Sequence, residues 1–284
     1  MSDQQRAAPC PGPGRLATEK TLKIVNLLLP FTPVRVRWLR WLVAAQAAVA
    51  FALWAFAGAR ALPSPLEVGR AWLDLVQHQG LLVELWVSMK VSLVALVLST
   101  AAAVAMACLA TAPVFMPLAR LSAALRFLGF AGLTYVFMLV SGDAIALRVA
   151  ILAFGMFVYM VTGLLSDLAA TSRDPIDHCR TLGMRHWRIT AEVVLLGKAD
   201  VILDLMRQNA AIGWTLLTLV EGLTRSAGGV GAMLLNENRY FLLAGVFAIQ
   251  ATILAVGLAQ DALLSTLKET ACPWSTLGKE SQAS

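Results

Sequence analysis

The sequence predicts an all-α fold: a polytopic membrane bundle of about six transmembrane helices. Composition is the first reason. Of 284 residues, 58% are hydrophobic and only 14% are charged, with a mean hydropathy of +0.72, whereas soluble domains carry about 25% charged residues. The second reason is length, because apolar runs of about 20 residues, enough to cross a bilayer's hydrocarbon core, recur along the chain. The third is that Lys and Arg gather in the N-terminal segment and around Asp174–Arg188, as cytoplasmic flanks do.

Taken in order, residues 1–37 form a polar, Pro- and Gly-rich tail, disordered in part, that ends in Lys23, Arg35 and Arg37. The first apolar run, Trp38–Ala57, is longer than a signal-peptide core of about 7–15 residues and follows too long a leader, so cleavage is not expected. The second, Val87–Ala110, is rich in Ala and Ser. Small residues let helix backbones approach closely in lipid, so this span belongs inside the bundle. A weaker third run covers Leu121–Val140 and a fourth Ala144–Leu165. The fifth, Val201–Leu223, carries Asp204, Arg207, Gln208, Asn209, Trp214 and Glu221, and the sixth is Phe241–Leu267. The transmembrane domain is thus 38–268, with a cytoplasmic loop at about 172–198 and a cytoplasmic tail over 269–284.

Six spans with both termini cytoplasmic place both basic segments inside, as the positive-inside rule requires. The formal charge of +6 therefore reflects topology, not a nucleic-acid stripe, and the expected surroundings are a lipid bilayer. Cys10, Cys108, Cys179 and Cys272 show no CxxC spacing, so neither disulfides nor zinc are expected.

The cytoplasmic loop contains DPIDHCRTLGMRHWR, Asp174–Arg188, with two of the chain's three histidines. Asp174-Pro175 is a helix-start signal, with Asp as N-cap and Pro at the first helical position. Ile176, Cys179, Leu182 and Trp187 fall on roughly one side, and Gly183 breaks the run before a second helix from about His186 into ITAEVVLL. Three readings compete for this elbow: a basic loop that only sets topology, a metal or catalytic cluster of Asp177, His178, Cys179 and His186, and a docking element for a soluble partner. Adjacent His and Cys side chains point different ways, which disfavours a zinc site on a helix. The Asp-Pro start, the glycine elbow and Trp187 favour docking.

In the fifth run Arg207, Trp214 and Glu221 recur every seven residues and share a helical face with Asn209 and Thr218. Each charged residue alone could snorkel to an interface, but together they mark a polar seam or pathway wall. Gly228-Gly229-x-Gly231 suits a tight turn, and the Gly-Lys-Ser/Thr ending of a phosphate loop is missing. No HExxH, GxSxG or paired intramembrane carboxylates appear, so no bond-making chemistry, cofactor or metal is expected.

With these stretches in order, the chain from Leu62 to Trp274 resembles the permease subunits of bacterial ATP-binding-cassette importers of the nitrate/sulfonate/taurine group. ALPSPLEV at Ala61–Val68 matches the start of that family's first periplasmic segment. In the coupling motif Asp177 takes the Glu position and His178 and Cys179 the two Ala positions. Arg180-Thr181-Leu182-Gly183, Trp187 and Val193-Val194-Leu195 follow. Arg207, Trp214 and Glu221, then Gly229-Val230-Gly231, then Pro273-Trp274, complete the set. Leu196 and Asp200 stand where prolines are usual, and the third run, LRFLGFAGLTYVFML, lacks the family's prolines.

The resemblance implies a non-enzymatic transport subunit of the bacterial inner membrane. Its partners would be ABC ATPase subunits, a second permease chain in a homo- or heterodimer, and a periplasmic substrate-binding protein. Asp177, His178, Cys179, Arg180, Leu182, Gly183 and Trp187 would couple to the ATPase. Gly129, Gly132, Thr134, Tyr135, Asn209, Trp214, Thr218 and Glu221 would line the pathway, and the substrate would be a small oxyanion or organosulfonate. The alternatives are an ion-coupled secondary transporter using Arg207 and Glu221, and a membrane scaffold that recruits a soluble partner.

Overall fold

The computed structural model describes residues 36–56, 63–224 and 228–274, so most of the N-terminal tail and the end of the C-terminal tail lie outside the described residues. Described residues are helical or irregular, with no strand among them. The chain divides into two units, 1–61 and 62–284.

The described part of the first unit is one helix, α1 (Val36–Phe56). It coincides with the first predicted run, but its apolar stretch is Leu39–Ala55. At 1.5 Å per residue that covers about 25 Å, at the lower end of the roughly 17–25 residues that cross a bilayer core.

The second unit opens with α2 (Pro65–Gln77), whose start explains the PSPLE sequence. Ser64 Oγ accepts the Glu67 amide at 3.3 Å, and the Glu67 carboxylate accepts the Ser64 amide at 3.0 Å. This reciprocal capping box satisfies two donors that a helix start otherwise leaves free. α2 packs on the last helix, α11 (Leu243–Ala271), with Trp72 Nε1 donating to Thr252 Oγ1 at 3.1 Å.

α3 (Leu81–Ala110) and α6 (Ala144–Ala170) form the most extensive helix pair. α3 buries Ser88, Ser92, Ala95, Ser99, Ala103 and Ala107, a stripe spaced three and four residues apart. These small side chains admit the larger Ile151, Leu152, Met156 and Met160 of α6, which are buried with them in the core. Such close approach is how helices associate where lipid removes the hydrophobic drive between them.

Between this pair the structure departs from the predicted third span. Leu121–Val140 is not one helix but α4 (Met116–Ala124), a 3-10 turn at Leu125–Phe127, and α5 (Phe130–Val140). The two pieces meet at 120°. Leu128 and Gly129 are extended at the break, and Gly129 and Gly132 each weaken a helix by about 1 kcal/mol relative to Ala. An apolar run reads the same for one helix or two, so the break was invisible to hydropathy.

The elbow follows α6 as α7 (Asp174–Thr181) and α8 (His186–Thr190), and α8 continues into a π-helix over Ala191–Leu196. The N-cap of α7 is Arg173, not Asp174, so the predicted cap moves one residue and Pro175 sits in the second helical position. Both positions tolerate Pro, because first-turn amides have no intrahelical partner. Then α9 (Ala199–Leu223) runs back through the unit, followed by α10 (Val230–Arg239) and α11.

Among the described residues three helices, α3, α6 and α11, are long and apolar enough to cross a membrane, or four spans if the bent α4–α5 pair counts as one. α9 has the length, with 25 residues, but its charged and amide side chains lower its hydropathy. It packs instead on four neighbours, α3, α6, α10 and α11. A helix this polar survives in a bundle because its neighbours supply partners that lipid does not.

Candidate functional site

Two polar constellations lie at opposite ends of α3, α6 and α9. The elbow is at the end where α3 and α6 finish and α9 begins. Gly183, at φ +72°, makes the turn. The Gly183 amide donates to Arg180 O at 2.9 Å and the Met184 amide to Cys179 O at 3.2 Å. That pair is a Schellman stop, which needs a left-handed residue and so favours glycine. Asp177 and Arg180 form an exposed ion pair at 2.9 Å. His178 is exposed, Cys179 is a half-buried free thiol, and Leu182 and Trp187 are each 61% exposed. Six of the seven elbow residues are thus exposed, all but Cys179, and they are apolar as well as charged. Among the described residues no three His, Cys, Asp or Glu side chains converge as a metal set would.

At the other end the glycine loop after α9 is clamped over a buried ionic cluster. Ser88 of α3 donates to Glu221 Oε1 at 2.6 Å and accepts the Val230 amide at 3.0 Å. The Gly231 amide donates to Glu221 Oε2 at 2.8 Å, and the Gly229 amide donates to Glu84. Arg148, wholly buried, donates to Thr224 Oγ1 at 2.7 Å, Thr224 O at 2.6 Å and Gly228 O at 2.8 Å, and stands 3.9 Å from Glu221. Two carboxylates from different helices therefore meet one loop and one guanidinium. No such pair is visible in the sequence, because residues 84 and 221 are far apart in the chain.

The glycines are needed here for space as well as conformation. A Cβ on Gly229, at φ +99°, would lie 2.5 Å from the Glu221 carboxyl carbon. One on Gly231 would meet Thr218 O at 2.5 Å.

The sequence matches no protein-family model, and no characterised protein matches it significantly.

The predicted pathway residues fall in two groups. Gly129, Gly132 and Tyr135 are exposed and Thr134 half-buried around the α4–α5 break. Those on α9 are engaged in helix contacts. Asn209 Nδ2 donates to Met156 O at 2.8 Å, Trp214 Nε1 to Gln260 Oε1 at 2.7 Å, and Thr218 Oγ1 to Thr215 O at 2.9 Å, while Glu221 belongs to the cluster. The seven-residue rhythm of Arg207, Trp214 and Glu221 fastens α9 to its neighbours. Arg207 grips Asp261 of α11 through two hydrogen bonds and Lys268 pairs with Asp204, so α9 and α11 are tied at three levels.

Arg148, Glu84 and Ser88 were missed by sequence reasoning. The available signal was an arginine five residues inside an apolar run, since an ionisable residue in a span is expensive and needs a partner. Glu237 on α10 is also buried, against Gly245 in the first turn of α11. Burial pushes its carboxyl above the usual range, and nearby Asp74 adds to the shift.

Proposed function

We propose that the chain is the permease subunit of an ATP-driven importer in a bacterial inner membrane, with both termini cytoplasmic. In this reading six spans cross the bilayer: α1, the bent α4–α5 pair, and the long helices α3, α6, α9 and α11. The observation that carries the reading is the elbow, a helix–glycine–helix unit exposed at one end of the bundle and continuous with α6 before it and α9 after it. A force applied to α7 and α8 would reach two core helices directly, and rigid-body tilting of packed helices is how such transporters switch access.

ATP hydrolysis belongs to a partner ATPase. A second permease chain completes the pathway, and a periplasmic binding protein delivers a small oxyanion or organosulfonate. The chain itself makes and breaks no bonds. Co-purification tests this. The full chain extracted from its own membrane in mild detergent should retain a soluble ATPase, and Asp177→Arg or Gly183→Pro should release it. Normal assembly and uptake by both variants would remove the coupling role.

One observation favours a second reading, an ion-coupled transporter: ionisable pairs, Arg148 with Glu221 and Arg207 with Asp261, lie within the helices. In that case, collapsing the proton gradient while ATP is maintained should stop uptake. An ATP-driven importer would continue.

A further inference from the structure

Between the elbow and the end of the bundle lies a cavity of about 420 Å³, inside the range of about 300–1,000 Å³ typical of small-molecule sites. Three pieces of chain enclose it: the turn after α3 at Thr111–Pro113, the end of α6 at Leu168 and Thr171, and the bundle-facing side of the elbow. A hydroxyl–hydroxyl contact of 3.2 Å between Thr111 and Thr190 holds the first and third pieces together. The π-helix contributes Val193 and Val194 to the wall. Its wider turn is a form that recurs at functional sites and otherwise costs good hydrogen-bond geometry.

Position and chemistry together name the ligand. α3 and α6 are both long and apolar enough to cross a membrane, and both end at this cavity, so it lies at the depth of lipid headgroups. Its interior is aliphatic, from Leu168, Ile176, Ile189 and the two valines, whereas exposed Arg180 supplies a cation at the edge and exposed His186 a ring N–H donor beside it. No carboxylate belongs to the lining. Asp177 takes one donor of Arg180, and a guanidinium has five. Between Arg173 and Arg188 four arginines stand against two carboxylates, Asp174 and Asp177, a local cationic excess on the elbow itself. Exposed Trp187 borders the cavity, and Trp is the residue favoured at the membrane–water boundary.

We propose that this cavity is a binding site for one anionic phospholipid, its phosphate held by Arg180 and His186 and its acyl chains laid along Leu168, Ile176 and Val193. A peptide would satisfy the apolar walls but gives no reason for a cationic edge at headgroup depth. A soluble anion gives no reason for the aliphatic interior. The proposal rests on the membrane-crossing helices and not on the importer reading, so ATPase binding and lipid binding can fail separately.

The test is a lipid titration of the full chain in detergent, followed by native mass spectrometry, with phosphatidylglycerol and phosphatidylcholine of identical acyl chains. The wild type should prefer phosphatidylglycerol by about fivefold, the scale set by one arginine near a surface. R180E/H186E should abolish that preference. Val193→Trp, which fills the aliphatic part and keeps Arg180 and His186, should lower phosphatidylglycerol occupancy as well. Equal binding of the two lipids by the wild type overturns the site, as does a preference that survives both variants. Full displacement by glycerol phosphate would assign the cavity to a soluble anion instead. Displacement by a co-purifying ATPase would assign it to a protein segment.

Discussion

At one end of α3, α6 and α9, Arg148, Glu84 and Glu221 are drawn under the glycine loop. At the other end, Arg180, Asp177 and His186 stand exposed on the elbow. The residue types are alike, but their surroundings reverse what each is worth. A charge held out of water must be matched by fixed partners, so removing one partner leaves the rest stranded. An exposed pair is screened, contributes about 0–1 kcal/mol to the fold, and stays available to something outside the chain. The buried end is therefore a structural fastening, whereas the charges of the exposed end are not spent on holding the fold.

The sharpest way to break this comparison is Arg148→Met. The variant keeps the volume and removes the guanidinium that serves Thr224 and Gly228 and faces Glu221. Breaking a buried pair from one side costs about 3–5 kcal/mol, so the purified chain should melt far lower in detergent, and Arg148→Lys should recover part of the loss. An unchanged melting curve would mean that the cluster holds nothing together.

Next in size is Gly229→Ala. Its φ of +99° and the Glu221 carboxyl 2.5 Å from the added Cβ combine backbone strain of about 1–3 kcal/mol with a forced shift of the cluster. The fall in melting temperature should be clear and smaller than for Arg148→Met. Limited proteolysis should locate the opening at the loop between α9 and α10, and a variant as stable and protease-resistant as the wild type would deny the clamp.

How far the two ends could be read from sequence follows the same division. The elbow is local: Asp-Pro, Gly183 and Trp187 lie within one short stretch, and a helix, a left-handed stop and a second helix can be inferred from it. Even there the cap fell on Arg173, because Pro is tolerated at either of the first two helical positions, and nothing in AEVVLL announces a π-turn. The cluster is not local. The glycine loop was visible, but what it closes over comes from residues 84, 88, 148 and 221, whose meeting depends on helix packing. Arg148 stands in an apolar run, and its acceptors, Thr224 and Gly228, are some 80 residues away in the chain. The α4–α5 break was hidden for a different reason, since hydropathy registers where a chain is apolar and not where it bends.

A smaller effect separates Glu237 from both ends. Its carboxyl lies above the usual range because of burial and, to a lesser degree, Asp74. A raised carboxylate binds its proton more readily in the folded chain than in the unfolded one. The stability it contributes is therefore complete below the ordinary value of 4.5 and is lost as pH rises through the folded value. Melting temperature should fall over that window, and Glu237→Gln, which stays neutral, should flatten the profile. A profile that keeps its slope in the variant would place the titration elsewhere.

The smallest stability effect belongs to Asp177→Asn. Asp177 and Arg180 are each 60% exposed and pair across three residues of a short helix, a contact worth at most about 1 kcal/mol and screened by salt. Melting in detergent should hardly move, and what little moves should vanish at high salt. Asparagine removes the carboxylate and keeps the shape, so any larger consequence must lie outside the chain. In the importer reading that consequence is weaker retention of the ATPase. In the lipid reading it is a gain, because Arg180 loses a competitor for its donors and phosphatidylglycerol should bind more tightly. A large drop in melting temperature would show instead that the elbow's charges are structural like those of the cluster, and the contrast between the two ends would collapse.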